Sequence, residues 1–322
     1  MRNKVRGVLL AILVFGVFVQ AVNAQTYPTK AVTMVVGFPP GGGADILGRL
    51  AAQTLSQSFG QQVIVDNRPG AGSNIATSYV AKARADGYTL MFHSVPFVIN
   101  PHIYKSSGYD VQKDFSPIVQ FAAVPLVLAT SASLPVTTTA QLIDYAKRNS
   151  GKVNYGSAGN GTSSHLAAEL FKSMAGVELV HVPYKGAGPL TTALLGGEVQ
   201  ATILNAAVVA PHVSAGKLRA LAVTSAKRSP LFPTWATISE AIPGYDVVNW
   251  FGLFAPAGTP TSVITSINAA INKALTSDAL IKELNNRGAV GVGGTPSDFS
   301  ALVNSELETW GKMVKATGAR ID

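Results

Sequence analysis

What most constrains this chain is a repeated local pattern: short β-rich apolar runs, each followed by a turn and then by a segment with helical spacing of its apolar residues. The run Val32-Thr-Met-Val-Val36 leads into Pro39-Pro-Gly-Gly-Gly43, after which Ile46, Leu47, Leu50, Ala51 and Leu55 fall on one helical face. Further strands are predicted at 62–66, 88–92, 124–130, 153–157, 179–182, 199–204 and 218–224, and further helices at 73–83, 140–148, 163–174, 189–195, 263–275 and 299–314. Such alternation predicts βαβ units and a mostly parallel sheet covered on both faces. Coverage on both faces agrees with a charged fraction of 13%, about half that of an average soluble chain. At 322 residues the chain exceeds one comfortable core, so two α/β lobes are expected.

Residues 1–24 carry the marks of a cleaved signal peptide. Arg2, Lys4 and Arg6 form a positive start, residues 7–19 are uncharged and mostly apolar, and Val22-Asn-Ala24 is a small-residue cleavage site. Thirteen helical residues rise about 20 Å, short of a hydrocarbon core of roughly 30 Å. The expected mature chain therefore starts at Gln25 and is soluble and periplasmic. Processing leaves 22 basic against 17 acidic residues, a net +5. Lys227-Arg228 is the longest basic cluster, and no basic stripe interleaved with aromatics points to nucleic acid.

Composition and motifs exclude much chemistry. Without cysteine there is no disulfide framework, thiolate metal site or cysteine nucleophile. Gly151-Lys152, Gly216-Lys217 and Gly311-Lys312 are each followed by an apolar residue, so none completes a P-loop. Gly70-Ala-Gly72 and Gly186-Ala-Gly188 both lack the third glycine of a dinucleotide loop, and Gly-x-Ser-x-Gly does not occur. Five histidines show no metal-binding spacing. No metal and no cofactor is expected.

Two loops share the order strand, glycine loop, helix: Phe38-Pro-Pro-Gly-Gly-Gly-Ala-Asp45 and Gly156-Ser-Ala-Gly-Asn-Gly-Thr-Ser-Ser-His165. Glycine lets the backbone approach a ligand, and the following helix offers free N–H groups at its positive end. Such loops lie at the carboxyl ends of strands, where open α/β sheets bind ligands. One loop of this kind is ordinarily just a turn; two, one per lobe, point to a small anion, with the amides of Gly159 to Ser163 turned toward a carboxylate. His165, at the helix start, is placed near that ligand, whereas His181 in its apolar strand is assigned to the core. Tyr184 and Lys185 sit at a third strand-to-helix loop, for which a reach into a cleft and a solvated turn both stay open. Asp45 is assigned to the helix start rather than to general-base work.

The chain resembles the Bug-type periplasmic solute-binding receptors of tripartite tricarboxylate transporters. The resemblance is carried jointly by Phe38-Pro-Pro-Gly-Gly-Gly-Ala-Asp45, Val65-Asp-Asn-Arg-Pro-Gly-Ala-Gly72, Ala85-Asp-Gly-Tyr-Thr-Leu90, Asn154-Tyr-Gly-Ser-Ala-Gly-Asn-Gly-Thr162, His181-Val-Pro-Tyr-Lys-Gly186 and Pro256-Ala-Gly-Thr-Pro260. It implies an α/β, two-lobed periplasmic binding protein of type II with two chain crossings between the lobes. Lobe one would be residues 25–124 plus 250–322, and lobe two residues 125–249. It also implies that a small carboxylate is captured between the lobes and delivered to the membrane subunits of a tripartite transporter, by a monomer that is not an enzyme. The binding residues implied are Phe38, Gly42, Gly43 and Ser94 from lobe one, and Ser157, Gly159, Gly161, Thr162 and His165 from lobe two. Relatives often carry an acid after the strand that follows Gly-Gly-Glu-Val-Gln; here that position is Leu204, followed by Asn205. A missing acid argues against an amino-acid ligand and toward a less polar carboxylate, including an aromatic one. Two alternatives stay open: a receptor whose loaded form touches a sensor protein, and a periplasmic hydrolase using Ser157 and His165.

Overall fold

The computed structural model describes residues 27–317; the signal-peptide assignment to residues 1–24 lies outside them. The chain begins as expected. The β-branched strand β1 (Val32–Val36) is followed by α1 (Gly43–Phe59), whose Leu47, Leu50, Ala51 and Leu55 are all buried. Gly60, at φ +66°, ends α1 and donates its N–H to the Ser56 carbonyl, a left-handed cap that costs glycine least. Next come β2 (Val63–Asn67), α2 (Asn74–Ala81), β3 (Thr89–Ser94) and α3 (Pro96–Ile103). β4 (Phe115–Ser131) is a single strand of 17 residues. It leads to α4 (Thr139–Arg148), β5 (Asn154–Ser157), α5 (Ser163–Ala175), β6 (Val180–Pro183), α6 (Ala187–Gly196), β7 (Ala201–Asn205), α7 (Ala206–Ser214), β8 (Leu218–Val223) and β9 (Ala236–Thr237). The chain then returns through β10 (Val248–Pro256), α8 (Thr261–Leu275), α9 (Asp278–Asn286), β11 (Val290–Gly293) and α10 (Pro296–Thr317).

Eight strands follow one path, β2-β1-β3-β10-β4-β7-β5-β6, with β8 and β11 also paired to β4 and β9 to β8. β4 is common to two sheets. Its residues up to Pro125 pair with β10 and β11; from Leu126 onward they pair with β7 and β8. The change of partner falls between Pro125, opposite Val248, and Leu126, opposite Asn205. Thr224, fully buried, ties the two crossing stretches together: its hydroxyl donates to the Val247 carbonyl at 2.6 Å and accepts from the Leu126 N–H at 2.9 Å. Alternation along β4 sends Leu126 and Leu128 into one apolar layer and Val127 and Ala129 into the other, so both layers run through the two lobes.

The sheet is mixed rather than mostly parallel. Among the described residues five strand pairings are parallel and five are antiparallel. Every antiparallel pairing involves β4 or β10, the strands that carry the chain from one lobe to the other. β4 is also longer than the expected 124–130, and α3, α7, α9, β10 and β11 have no counterpart in the sequence expectation.

Candidate functional site

A cavity of about 40 Å³ lies where the two sheets meet, room for about three waters. One wall is built by Phe38, Pro39 and Gly42 of the β1–α1 loop and Gly43 and Ala44 at the start of α1, with Ser94 and Pro96 at the β3–α3 junction. The facing wall is Ala158 and Thr162 of the β5–α5 loop, Ser163 and Ser164 at the start of α5, Ala187 at the start of α6, and Leu204 and Asn205 at the end of β7. Leu126, Asn249 and Phe251 of the crossing strands form the floor. No lining residue is charged. Instead the N-terminal residues of α1, α5 and α6 and the residue capping α7 line the cavity, with Pro96, which has no N–H, at the start of α3. First-turn N–H groups have no intrahelical partner and sit at the positive end of the helix dipole, so the cavity is polarised for an anion without a cationic side chain. It adjoins an outer groove of about 490 Å³, with which it shares Phe38, Pro39 and Ala158. Gly159, Tyr184 and Lys185 line that groove.

Each loop is held by its own side chains. In the first, Gly41 adopts φ +85° and donates its N–H to Asp45 Oδ2 at 3.0 Å. Asp45 is buried, which raises its pKa, but Arg49, the Gly41 N–H and Asn67 outweigh burial and hold the carboxyl below its ordinary value. In the second, the Ala158 N–H goes to Ser164 Oγ, the Gly159 N–H to Ser157 Oγ and the Gly161 N–H to His165 Nδ1. The Gly159 and Gly161 amides, expected to face a ligand, are therefore turned into the loop. Thr162 caps α5: its hydroxyl accepts from the His165 N–H at 3.4 Å and donates to the Gly159 carbonyl at 2.7 Å. What this leaves at the cavity are Ser163 and Ser164, the first two residues of α5. On the opposite wall the Ser94 N–H donates to His93 Nδ1 at 2.7 Å, so the buried His93 carries its proton on Nε2, against Ser73 and Thr77. Burial pushes His93 down to about 3.

Of the residues singled out in the sequence, Phe38, Gly42, Gly43, Ser94, Thr162 and Leu204 line the cavity and Gly159 the groove. Ser157, Gly161 and His165 line neither. Ser157 is fully buried and its hydroxyl pairs with His181 Nε2 at 2.6 Å. His165 stacks on His181 at 4.2 Å between ring centres, and Tyr155 stacks on His181's ring at 4.8 Å. Burial, with a smaller contribution from His165, lowers His181 to about 4; burial likewise lowers His165. His181 is thus the neutral partner that fixes Ser157, and through Ser157 the Gly159 amide.

Sequence reasoning passed over a pair of amides. Asn249, 1% exposed, donates from Nδ2 to Asn205 Oδ1 at 3.0 Å, while its own Oδ1 is buried without a hydrogen-bond partner. Asn205 presses against Gly43: a Cβ at that glycine would come within 2.5 Å of Asn205 Nδ2. Where an acid is often expected the cavity has Leu204, but Asn205 and Asn249 return polarity to the same region. No local signal links two residues 44 positions apart; strand pairing alone brings them together.

Two α/β lobes joined by two chain crossings, meeting over a polarised, uncharged cavity at the carboxyl ends of strands, define a periplasmic binding protein of type II. Residues 47–319 match the tripartite tricarboxylate transporter family receptor, and the chain belongs to that family. BugT of Bordetella pertussis is 38% identical over 322 residues, covering 97% of this chain and 98% of that protein. The structure of R. palustris Rpa4515 with adipate is 43% identical, with a TM-score of 0.89 over 92% of this chain and 100% of that one. MatC (Rpa3494) from Rhodopseudomonas palustris with bound malate is 29% identical, with a TM-score of 0.83 over 89% of this chain and 100% of that one. Among the described residues no helix is long and apolar enough to cross a membrane, and no group of three or more His, Asp or Glu could hold a metal ion.

Proposed function

We propose that this protein captures a small carboxylate between its lobes in the periplasm and delivers it, as a monomer, to the membrane subunits of a tripartite tricarboxylate transporter. The observation that carries the reading is the convergence of helix N-termini on a cavity with no charged side chain. An anion there is held by oriented amides and hydroxyls, which suits reversible capture. Adipate bound to Rpa4515 and malate bound to MatC support the same ligand class. The lobes proposed are 25–124 with 250–322, and 125–249, and the lobe-two boundary agrees with the change of β4 partners at Pro125. The binding residues proposed are Phe38, Gly42, Gly43, Ser94, Thr162 and Leu204 at the cavity, with Ser157, Gly159, Gly161 and His165 holding the second loop in shape. Hydrolysis by Ser157 finds little support, because its hydroxyl is shut away from the cavity and committed to His181. Calorimetry of the mature chain against straight-chain mono- and dicarboxylates of three to eight carbons tests the reading. At least one should bind with micromolar or better affinity; a panel with no binder refutes it.

A further inference from the structure

The tip of the β5–α5 loop touches the other lobe at a place that is not the cavity. Gly161 is buried there: a Cβ on it would come within 2.7 Å of Asn100 Oδ1 and of Ile103 Cδ1, and 3.1 Å from Tyr104 Cε2. The hydrogen in that position faces Asn100 Oδ1, a buried acceptor with no N–H or O–H partner. Beside it the Tyr104 hydroxyl donates to the Asn160 carbonyl at 3.3 Å. A Cβ on Gly72 would stand 3.0 Å from that same carbonyl oxygen. Asn160 and Gly161 come from lobe two; Gly72, Asn100, Ile103 and Tyr104 come from lobe one.

Each half of this contact is set within its own lobe. Gly70, Ala71, Gly72 and Ser73 run at φ +135°, +48°, +63° and +89°, and Ala71 and Ser73 are the two non-glycine residues with positive φ among the described residues. Such a backbone persists only where its surroundings hold it. Here Asn100 Nδ2 donates to the Gly72 carbonyl at 2.8 Å, and His93 Nε2 to Ser73 Oγ at 2.8 Å. On the other side the Gly159 and Gly161 amides are anchored on Ser157 and His165. Opening the lobes therefore breaks only what joins the two halves. Resting on the reading that a carboxylate is captured between the lobes, we propose that Asn160 and Gly161 seat against Gly72, Asn100, Ile103 and Tyr104 as a clasp that holds the lobes shut. Tyr104 and Gly161 are then positioning residues, which set affinity through the fraction of protein that is closed and not by touching the carboxylate.

Tyr104 also lines the outer groove, where a long ligand could reach it. A clasp, however, scales every ligand by one factor, whereas a ligand contact discriminates among them. Calorimetry of the full mature chain with straight-chain dicarboxylates of four to eight carbons should show Tyr104→Phe weakening each binder by the same factor, roughly twofold to tenfold, the scale of one lost hydrogen bond. Gly161→Ala, whose methyl fills the seat, should weaken them further. Gly176→Ala is its control: that glycine is also left-handed, at φ +61°, but an added methyl meets nothing within 4 Å, so stability falls and affinity holds. Because the chain has no cysteine, dyes on Gln57→Cys and Lys147→Cys, exposed positions on different lobes, report lobe separation without any ligand. Tyr104→Phe should lower the closed fraction of the unloaded protein too. Factors that differ from one dicarboxylate to another, unchanged affinity in Tyr104→Phe, or a Gly176→Ala variant that binds as weakly as Gly161→Ala each overturns the clasp while leaving carboxylate capture standing. If no dicarboxylate binds, capture is refuted, and dye separations that superpose for the parent and Tyr104→Phe overturn the clasp as well.

Discussion

Replacing Thr162 by valine removes one oxygen from the centre of the second loop and leaves its shape almost unchanged. That oxygen caps α5 through the His165 N–H, donates to the Gly159 carbonyl at 2.7 Å and lies 2.8 Å from Ser164 Oγ. Loss of an N-cap hydroxyl costs about 1 kcal/mol. Thr162 is 3% exposed, so water does not replace the bond to Gly159, and a second loss of about 1 kcal/mol follows. The expected total is about 2 kcal/mol, or a melting temperature lower by roughly 4–8 °C for a chain of this order. Thr138 provides the control on the same lobe. It caps α4 through the Gln141 N–H at 3.2 Å but is exposed, so Thr138→Val should lower the melting temperature by only about 1–4 °C. Thr162→Ser retains the hydroxyl and should stay closer to the parent than Thr162→Val. Scanning calorimetry of the ligand-free protein reads all three. A Thr162→Val variant no less stable than Thr138→Val would refute the argument that this hydroxyl organises the loop.

Gly43→Ala should weaken both binding and stability: the backbone there accepts alanine, but the new methyl drives Asn205 from its place and from its bond to the buried Asn249, so calorimetry should show carboxylate affinity falling about tenfold and the unliganded melting temperature lowered. Undiminished affinity would count against a cavity wall at Gly43. Acid should weaken the fold before the carboxylates titrate. His93 and His181 are held neutral, at about 3 and about 4, whereas an unfolded histidine takes a proton near 6.5. Their contribution is complete above about pH 6.5 and is lost as pH falls toward the folded values, with a slope approaching about 1.4 kcal/mol per pH unit from His93 alone. Urea unfolding between pH 7 and 5 checks this, and a flat stability across that window contradicts it.

The parts legible in the sequence were those whose signals are local. β1 and α1 announce themselves by β-branched run, glycine loop and helical spacing, and the same holds for β5 and α5. The first half of β4 did not, because Ser116, Pro117 and Gln120 break its apolar run. Pro117 is tolerated since it pairs with Phe254 at a shift in strand register, a place where a missing N–H disturbs the ladder least. α3 has Pro96 and Pro101 within eight residues and is apolar nearly all round, so neither propensity nor periodicity marks it. β10 is buried on both faces apart from Val248 and shows no alternation. The site divides the same way: the glycine loops carry their own signature, whereas Asn249 becomes a wall of the cavity only through the pairing of β10 with β4 and of β4 with β7.

The place of β10 bears on how the chain is made. It lies between β3 and β4, yet it is synthesised more than 100 residues after both. A nascent chain therefore holds β1, β2, β3 and half of β4 with the middle of their sheet missing until residue 256 has emerged, and α8 and α10 arrive later still. Contacts of such sequence separation form slowly, and unpaired strand edges are templates for misassociation. Meanwhile β5, β6, β7 and β8 can assemble on the other half of β4 as soon as residue 223 is made. The second sheet can thus precede the first during synthesis, and chains ending before Val248 should leave the first sheet unable to close.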